Sequence, residues 1–120
     1  MTTGITTKKM YKQGDIVIVP FPFEEDQTKN KFRPVVIMSK GSVNKGSYIV
    51  LKITSVLGKS SFEIPIFKKD VDFEMQRASA IISNDIMTIS QTLINKRIGK
   101  LNAHALETLS DVVKDNFEIE

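Results

Sequence analysis

The sequence contains no cysteine. That absence excludes a disulfide framework, a thiol nucleophile and any thiolate metal site. A single histidine, His104, excludes a multi-histidine metal centre and a pair of catalytic imidazoles. Apolar runs do not exceed about five residues, too short to cross a bilayer, so no membrane partner is expected. There is neither a P-loop nor a GxGxxG, so no phosphate cradle of those kinds is present. The acidic residues are scattered and none sits with His104 at ligand spacing, so no metal site is read. The stretch Met1 to Gln13 is rich in Thr and Lys and lacks an apolar core, unlike a secretory signal. It reads as a flexible segment, with a single domain over 14–120, and a cytoplasmic protein is the default expectation.

What is present is a globular composition over 120 residues, 41% hydrophobic and 26% charged. The net charge of +3 is unevenly placed. Residues 1–60 carry ten basic and four acidic side chains, a balance of +6, while residues 61–120 carry seven and ten, a balance of −3. The basic half suits a polyanion but does not identify one.

Hydrophobic patterning predicts mostly strands. Asp15–Val19 and Pro34–Met38 are β-branched runs of the kind that fill buried strands. Pro20-Phe21-Pro22-Phe23 is expected to stop the first, since proline cannot donate to a ladder. Glu24–Phe32 is polar and reads as a surface loop. Tyr48–Ser55 alternates most cleanly, with Ile49, Leu51 and Ile53 on one face and Tyr48, Val50, Lys52 and Thr54 on the other. Phe62–Phe67 contains Pro65 and reads as an edge strand. Ser79–Ile89 holds one or two strand pieces around Ser83-Asn84-Asp85. Lys96–Gly99 either ends a small helix begun near Ser90 or forms a short strand. Leu106, Leu109, Val113 and Phe117 recur at helical spacing, behind an Asn102 N-cap flanked by a Leu101–Leu106 staple. The fold class is mainly β with a helix added (α+β): a small barrel or strongly bent sheet closed by a C-terminal helix.

The candidate chemistry lies at strand ends. Arg33 precedes Pro34 and follows the long polar loop. Its guanidinium fork there either grips a phosphate or is a plain surface arginine, and spacing alone favours the plain reading. The hydroxyls of Thr54 and Ser55 either bind a phosphate oxygen or cap the turn that follows, the commoner use. Lys29, Lys31 and Lys52 add positive field or are simply solvated. His104 reads as a solvated first-turn residue.

In order and spacing, Gly14-Asp15-Ile16-Val17, Pro20-Phe21-Pro22-Phe23, Arg33-Pro34-Val35-Val36-Ile37, Ile53-Thr54-Ser55, Ser79–Thr88 and Ile98-Gly99-Lys100-Leu101 resemble the PemK/MazF-like type II toxins, endoribonucleases also called mRNA interferases. The resemblance spans roughly Gly14 to Leu109. It implies a small SH3-like β-barrel that forms a homodimer, binds single-stranded RNA in a groove across the dimer and is inhibited by a cognate antitoxin protein. It implies sequence-specific cleavage of RNA with neither metal nor cofactor. By position, Arg33 and Thr54 match the catalytic pair, with Ser55, Asp85 and Thr88 in support. The loop matches the family's RNA-contacting loop, giving Gln27, Thr28, Lys29 and Lys31, together with Lys52, as RNA-binding residues. Two departures stand out. Asn84 occupies a position that is acidic in many members, with Asp85 one residue later, and Met87 replaces a residue that is often basic. These departures keep open an alternative: a barrel of the same fold that cleaves nothing and acts by binding nucleic acid or a protein such as DNA gyrase.

Overall fold

The structure, a computed structural model, describes residues 10–22, 30–41 and 45–120. Among these residues six strands, β1 (Asp15–Pro22), β2 (Asn30–Ile37), β3 (Ser47–Thr54), β4 (Glu63–Ile66), β5 (Ser79–Ser90) and β6 (Lys96–Lys100), precede one α-helix, α1 (Ala103–Asp115). The strands form one antiparallel sheet in the order β4-β5-β3-β2-β1-β6. The sheet curls into a half-barrel, and an isolated Val71–Leu101 bridge ties the segment after β4 to the end of β6. The expected mainly-β architecture with a terminal helix is therefore what the chain adopts.

The β-branched runs follow from burial on both sides of the central strands, which removes the need for polar alternation. Val17, Val19, Val35, Ile37, Tyr48, Val50 and Ile89 pack on one side with Tyr11. Ile16, Val36, Leu51, Ile53, Ile66 and Ile81 pack on the other, where Leu101 and Leu109 bring in α1. Tyr11 is 8% exposed, its N–H donates to Tyr48 Oη at 3.1 Å, and the two rings meet edge-on at 5.7 Å. Packed chain thus begins before Gly14, inside the segment expected to be flexible. Buried Asp15 accepts from Arg97 Nε at 3.0 Å and from Lys12 N–H at 2.8 Å, which anchors the same entry.

Three sequence expectations are refined. β1 does not stop at Pro20 but continues to Pro22. The Ile18 carbonyl accepts from Asn95 on the β6 side, so Pro20 and Pro22 turn their missing N–H groups to that same side, beyond the last β6 pair. Ser79–Ser90 is one strand rather than two. Its middle bulges: Leu51 pairs with Ile86 and Ile53 with Ile81, so Lys52 alone faces the four residues 82–85. Lys96–Lys100 is a strand, and Pro65 lies in edge strand β4 as expected.

The helix starts as its sequence dictates. Asn102 Oδ1 accepts from Ala105 N–H at 2.8 Å, while Asn102 Nδ2 donates to the Lys69 carbonyl at 2.7 Å. Leu106, Leu109 and Val113 face the sheet. Phe117 does not join them: α1 ends at Asp115, and Phe117 is 68% exposed. Gly99 is a glycine for contact reasons. A Cβ there would strike the Phe73 ring and sit 2.7 Å from Asp72 Oδ1, the atom that accepts the Lys100 N–H.

Candidate functional site

The sheet register decides which candidate residues meet. Val35 pairs with Lys52, and Arg33 pairs with Val19 on the other flank of β2. The β2–β3 pairing ends at Val35–Lys52; the same register carried two residues on would bring Arg33 level with Thr54, which pairs with Ala80 of β5. Residues two apart share a face. Lys31, Arg33, Lys52 and Thr54 therefore lie on the same face as Val35 and Val50. Along this face a buried apolar cluster gives way, at the end of the two strands, to three cations and a hydroxyl. Arg33, Lys52 and Thr54 are half-buried and Lys31 is exposed.

Thr54 closes β3 and begins a tight turn. Its Oγ1 accepts from Val56 N–H at 3.0 Å and approaches the Val56 carbonyl at 3.4 Å. Turn capping is thus realised, but it leaves the hydroxyl proton weakly engaged, since 3.4 Å is near the outer limit of a hydrogen bond.

The remaining candidates separate. Ser55 falls on the opposite face, where it lines a cavity of about 560 Å³ with Phe32, Pro34, Ile53 and Phe73. Thr88 pairs with Ile49 and is likewise on the face away from Arg33 and Thr54, so it does not join them. Asp85 is the last bulge residue, next to the Leu51–Ile86 pair. Asn84 is exposed in the bulge, and Met87 pairs with Val50 and packs on the apolar cluster, which accounts for an apolar residue there. Gln27, Thr28 and Lys29 lie outside the described residues. His104 is exposed in the first turn of α1, at the rim of a shallow groove between β4 and the helix. Among the described residues no group of three or more His, Asp or Glu is placed to hold a metal ion.

One residue escaped sequence reasoning. Glu63, the first residue of β4, accepts from the backbone N–H groups of Gly58 (3.0 Å), Lys59 (2.9 Å) and Ser60 (3.1 Å). These donors, Gly58 foremost, hold its carboxyl below the usual carboxylate range. The available signal was an acid a few residues after a Gly-Lys-Ser turn. Elsewhere, burial, with the negative charges of Tyr48 and Asp15 nearby, pushes the Tyr11 hydroxyl up.

Several solved structures share this fold. The Mycobacterium tuberculosis toxin MazF-mt6 aligns over 88% of this chain and 98% of its own, at 20% identity and a TM-score of 0.67. MazF in a MazE–MazF crystal structure from Deinococcus radiodurans aligns over 92% and 98%, at 12% identity and a TM-score of 0.71. A mycobacterial endoribonuclease in complex with its cognate antitoxin aligns over 92% and 99%, at 8% identity and a TM-score of 0.68. At these identities the likeness defines the class of fold. The family follows from the sequence itself: residues 12–117 match the model of the PemK-like, MazF-like toxins of type II toxin–antitoxin systems, and the chain belongs to that family. No curated protein sequence matches it significantly.

Proposed function

We propose that this toxin is a metal-independent endoribonuclease that cuts single-stranded RNA at short sequence motifs, with Arg33 and Thr54 as its catalytic residues. One observation supports the reading above the rest: carried two residues past its last pair, Val35–Lys52, the β2–β3 register would bring Arg33 level with Thr54, on the face that Lys31 and Lys52 share. In the proposed reaction the 2′-oxygen of the RNA attacks phosphorus and the 5′-oxygen of the next nucleotide leaves. The proton lost by the 2′-hydroxyl is balanced by the one gained by the departing oxygen. The products are a 2′,3′-cyclic phosphate and a 5′-hydroxyl. Arg33 clamps the phosphate and opposes the charge that gathers on its non-bridging oxygens. Arg33 acts through its charge and its fork of N–H donors, not as a general acid. Thr54 donates its hydroxyl proton to the same oxygens. DNA, lacking the attacking hydroxyl, is not cut.

Lys31 and Lys52 supply sequence-independent attraction to the RNA backbone. The same reading makes the protein a cytoplasmic homodimer whose RNA groove an antitoxin fills. Incubating the purified protein with a long RNA in EDTA, then mapping the ends, tests it. Cyclic phosphate ends at recurring short motifs support the reading. Intact RNA, with capture of gyrase instead, rejects it.

A further inference from the structure

The turn after Thr54 is held from outside by a single carboxylate. Successive backbone N–H groups at Gly58, Lys59 and Ser60 converge on Glu63, Oε1 taking the first and Oε2 the other two. Such a run of amides forms a small anion-binding concavity. Gly58, at φ +85°, supplies the left-handed residue that curls the chain into it. Apolar packing gives the turn little further support, since Val56 and Leu57 are 55% and 48% exposed, and besides Glu63 the Ser60 hydroxyl accepts from Phe62 N–H at 3.0 Å. Glu63 itself is fixed in β4 by pairing with Ile82. The neighbouring Phe62 carbonyl accepts from both the N–H (2.9 Å) and the Oγ (3.0 Å) of Ser83, a residue 1% exposed. Rigidity is thus passed from the β5 bulge through β4 to the turn.

The near end of the turn is Val56, whose N–H sets the place of Thr54 Oγ1. We infer that Glu63 is a positioning residue for Thr54: its carboxylate fixes the 56–60 turn, so that Thr54 Oγ1, while accepting from Val56, presents its own proton to the scissile phosphate. This rests on the endoribonuclease reading above. Glu63 does not touch the RNA in this account and acts only through the turn.

The test combines rates with an activity-independent readout. Glu63→Gln keeps the shape but replaces Oε2, the acceptor of two amides, with a donor. Gly58→Ala disturbs the same concavity without touching Glu63; its Cβ meets no atom within 4 Å, so only the backbone angle is opposed. Both variants are expected to lower the single-turnover cleavage rate by about 10-fold or more, as small misplacements of a reacting group do. Binding of an RNA with a 2′-deoxy sugar at the cut site is expected to stay within about 2-fold, because the contacts that position the backbone are untouched. In a Thr54→Ala background neither variant should slow cleavage further. The Val56 amide should lose hydrogen-exchange protection in both variants. An undiminished rate in Glu63→Gln, or an equal fractional loss with and without Thr54, overturns the inference. Should the unaltered protein cut no RNA, the nuclease reading falls on its own. The Val56 amide still decides the positioning: lost protection supports it, unchanged protection rejects it.

Discussion

The hydroxyl of Thr54 accepts the Val56 N–H at 3.0 Å, and a hydroxyl that accepts still has a proton to donate. Thr54→Ser is therefore expected to retain most cleavage, whereas Thr54→Val is expected to lose roughly 10²–10³ in rate, the usual loss when one transition-state donor is removed. Single-turnover kinetics on a short RNA separate the two. Asn102 illustrates a purely structural residue. Its side chain caps α1 and reaches the Lys69 carbonyl, and Asn102→Ala is expected to cost about 1 kcal/mol in a urea titration with no change in the cleavage rate per folded molecule. Gly99→Ala is expected to cost about 1–3 kcal/mol, because its methyl group must displace the Phe73 ring.

At the scale of elements, the turn between β3 and β4 depends on an ionised carboxylate. The Glu63 carboxyl is lowered from 4.5 in the folded protein, so the unfolded chain binds its proton first as pH falls. Its contribution to stability is complete above the unfolded value and disappears as pH drops through the folded one. The stability gap between the unaltered protein and Glu63→Gln is accordingly expected to be widest near neutrality and to close well below pH 4.5, as read by urea titrations across that range. The elements also show what a sequence can and cannot convey. The strand of Tyr48–Ser55, the second half of β2 and the Asn102 cap were readable because alternation, β-branched runs and capping are local properties, whereas residues 30–32, expected as loop, extend β2. Continuation of β1 through Pro20 and Pro22 was not, since it depends on β6 ending beside Ile18. The bulge at 82–85 depends on the pairing of β5 with β3, and no local pattern encodes a change of register. Of the supporting candidates, Asp85 lies within that bulge and Thr88 follows it, on the face away from Thr54. Glu63 was missed for a related reason: its partners are backbone amides, so only the short Gly-Lys-Ser spacing ahead of it hinted at them.

For the molecule as a whole, the uneven charge acquires a location. The cations Lys31, Arg33 and Lys52 all come from the basic first half and meet on one face, while half of the acids in 61–120 follow Leu106, in α1 and beyond. Association with RNA is expected to weaken with salt. Removing one phosphate contact, as in Lys52→Ala, should reduce the slope of log K against log salt by about 0.7 for a single strand, measured with the 2′-deoxy RNA. Lys114→Ala, on α1, should leave the slope unchanged. Membership of the PemK/MazF-like family sets the fold, and the register of β2 and β3 supplies the argument for the site. The central claim is that Arg33 performs the chemistry at that register. Its most direct measurement is single-turnover cleavage of one RNA in EDTA by the unaltered protein and by Arg33→Ala, with both shown to melt alike. The account predicts cyclic phosphate ends from the unaltered protein and no cleavage above background from the variant. Equal rates from the two would contradict it.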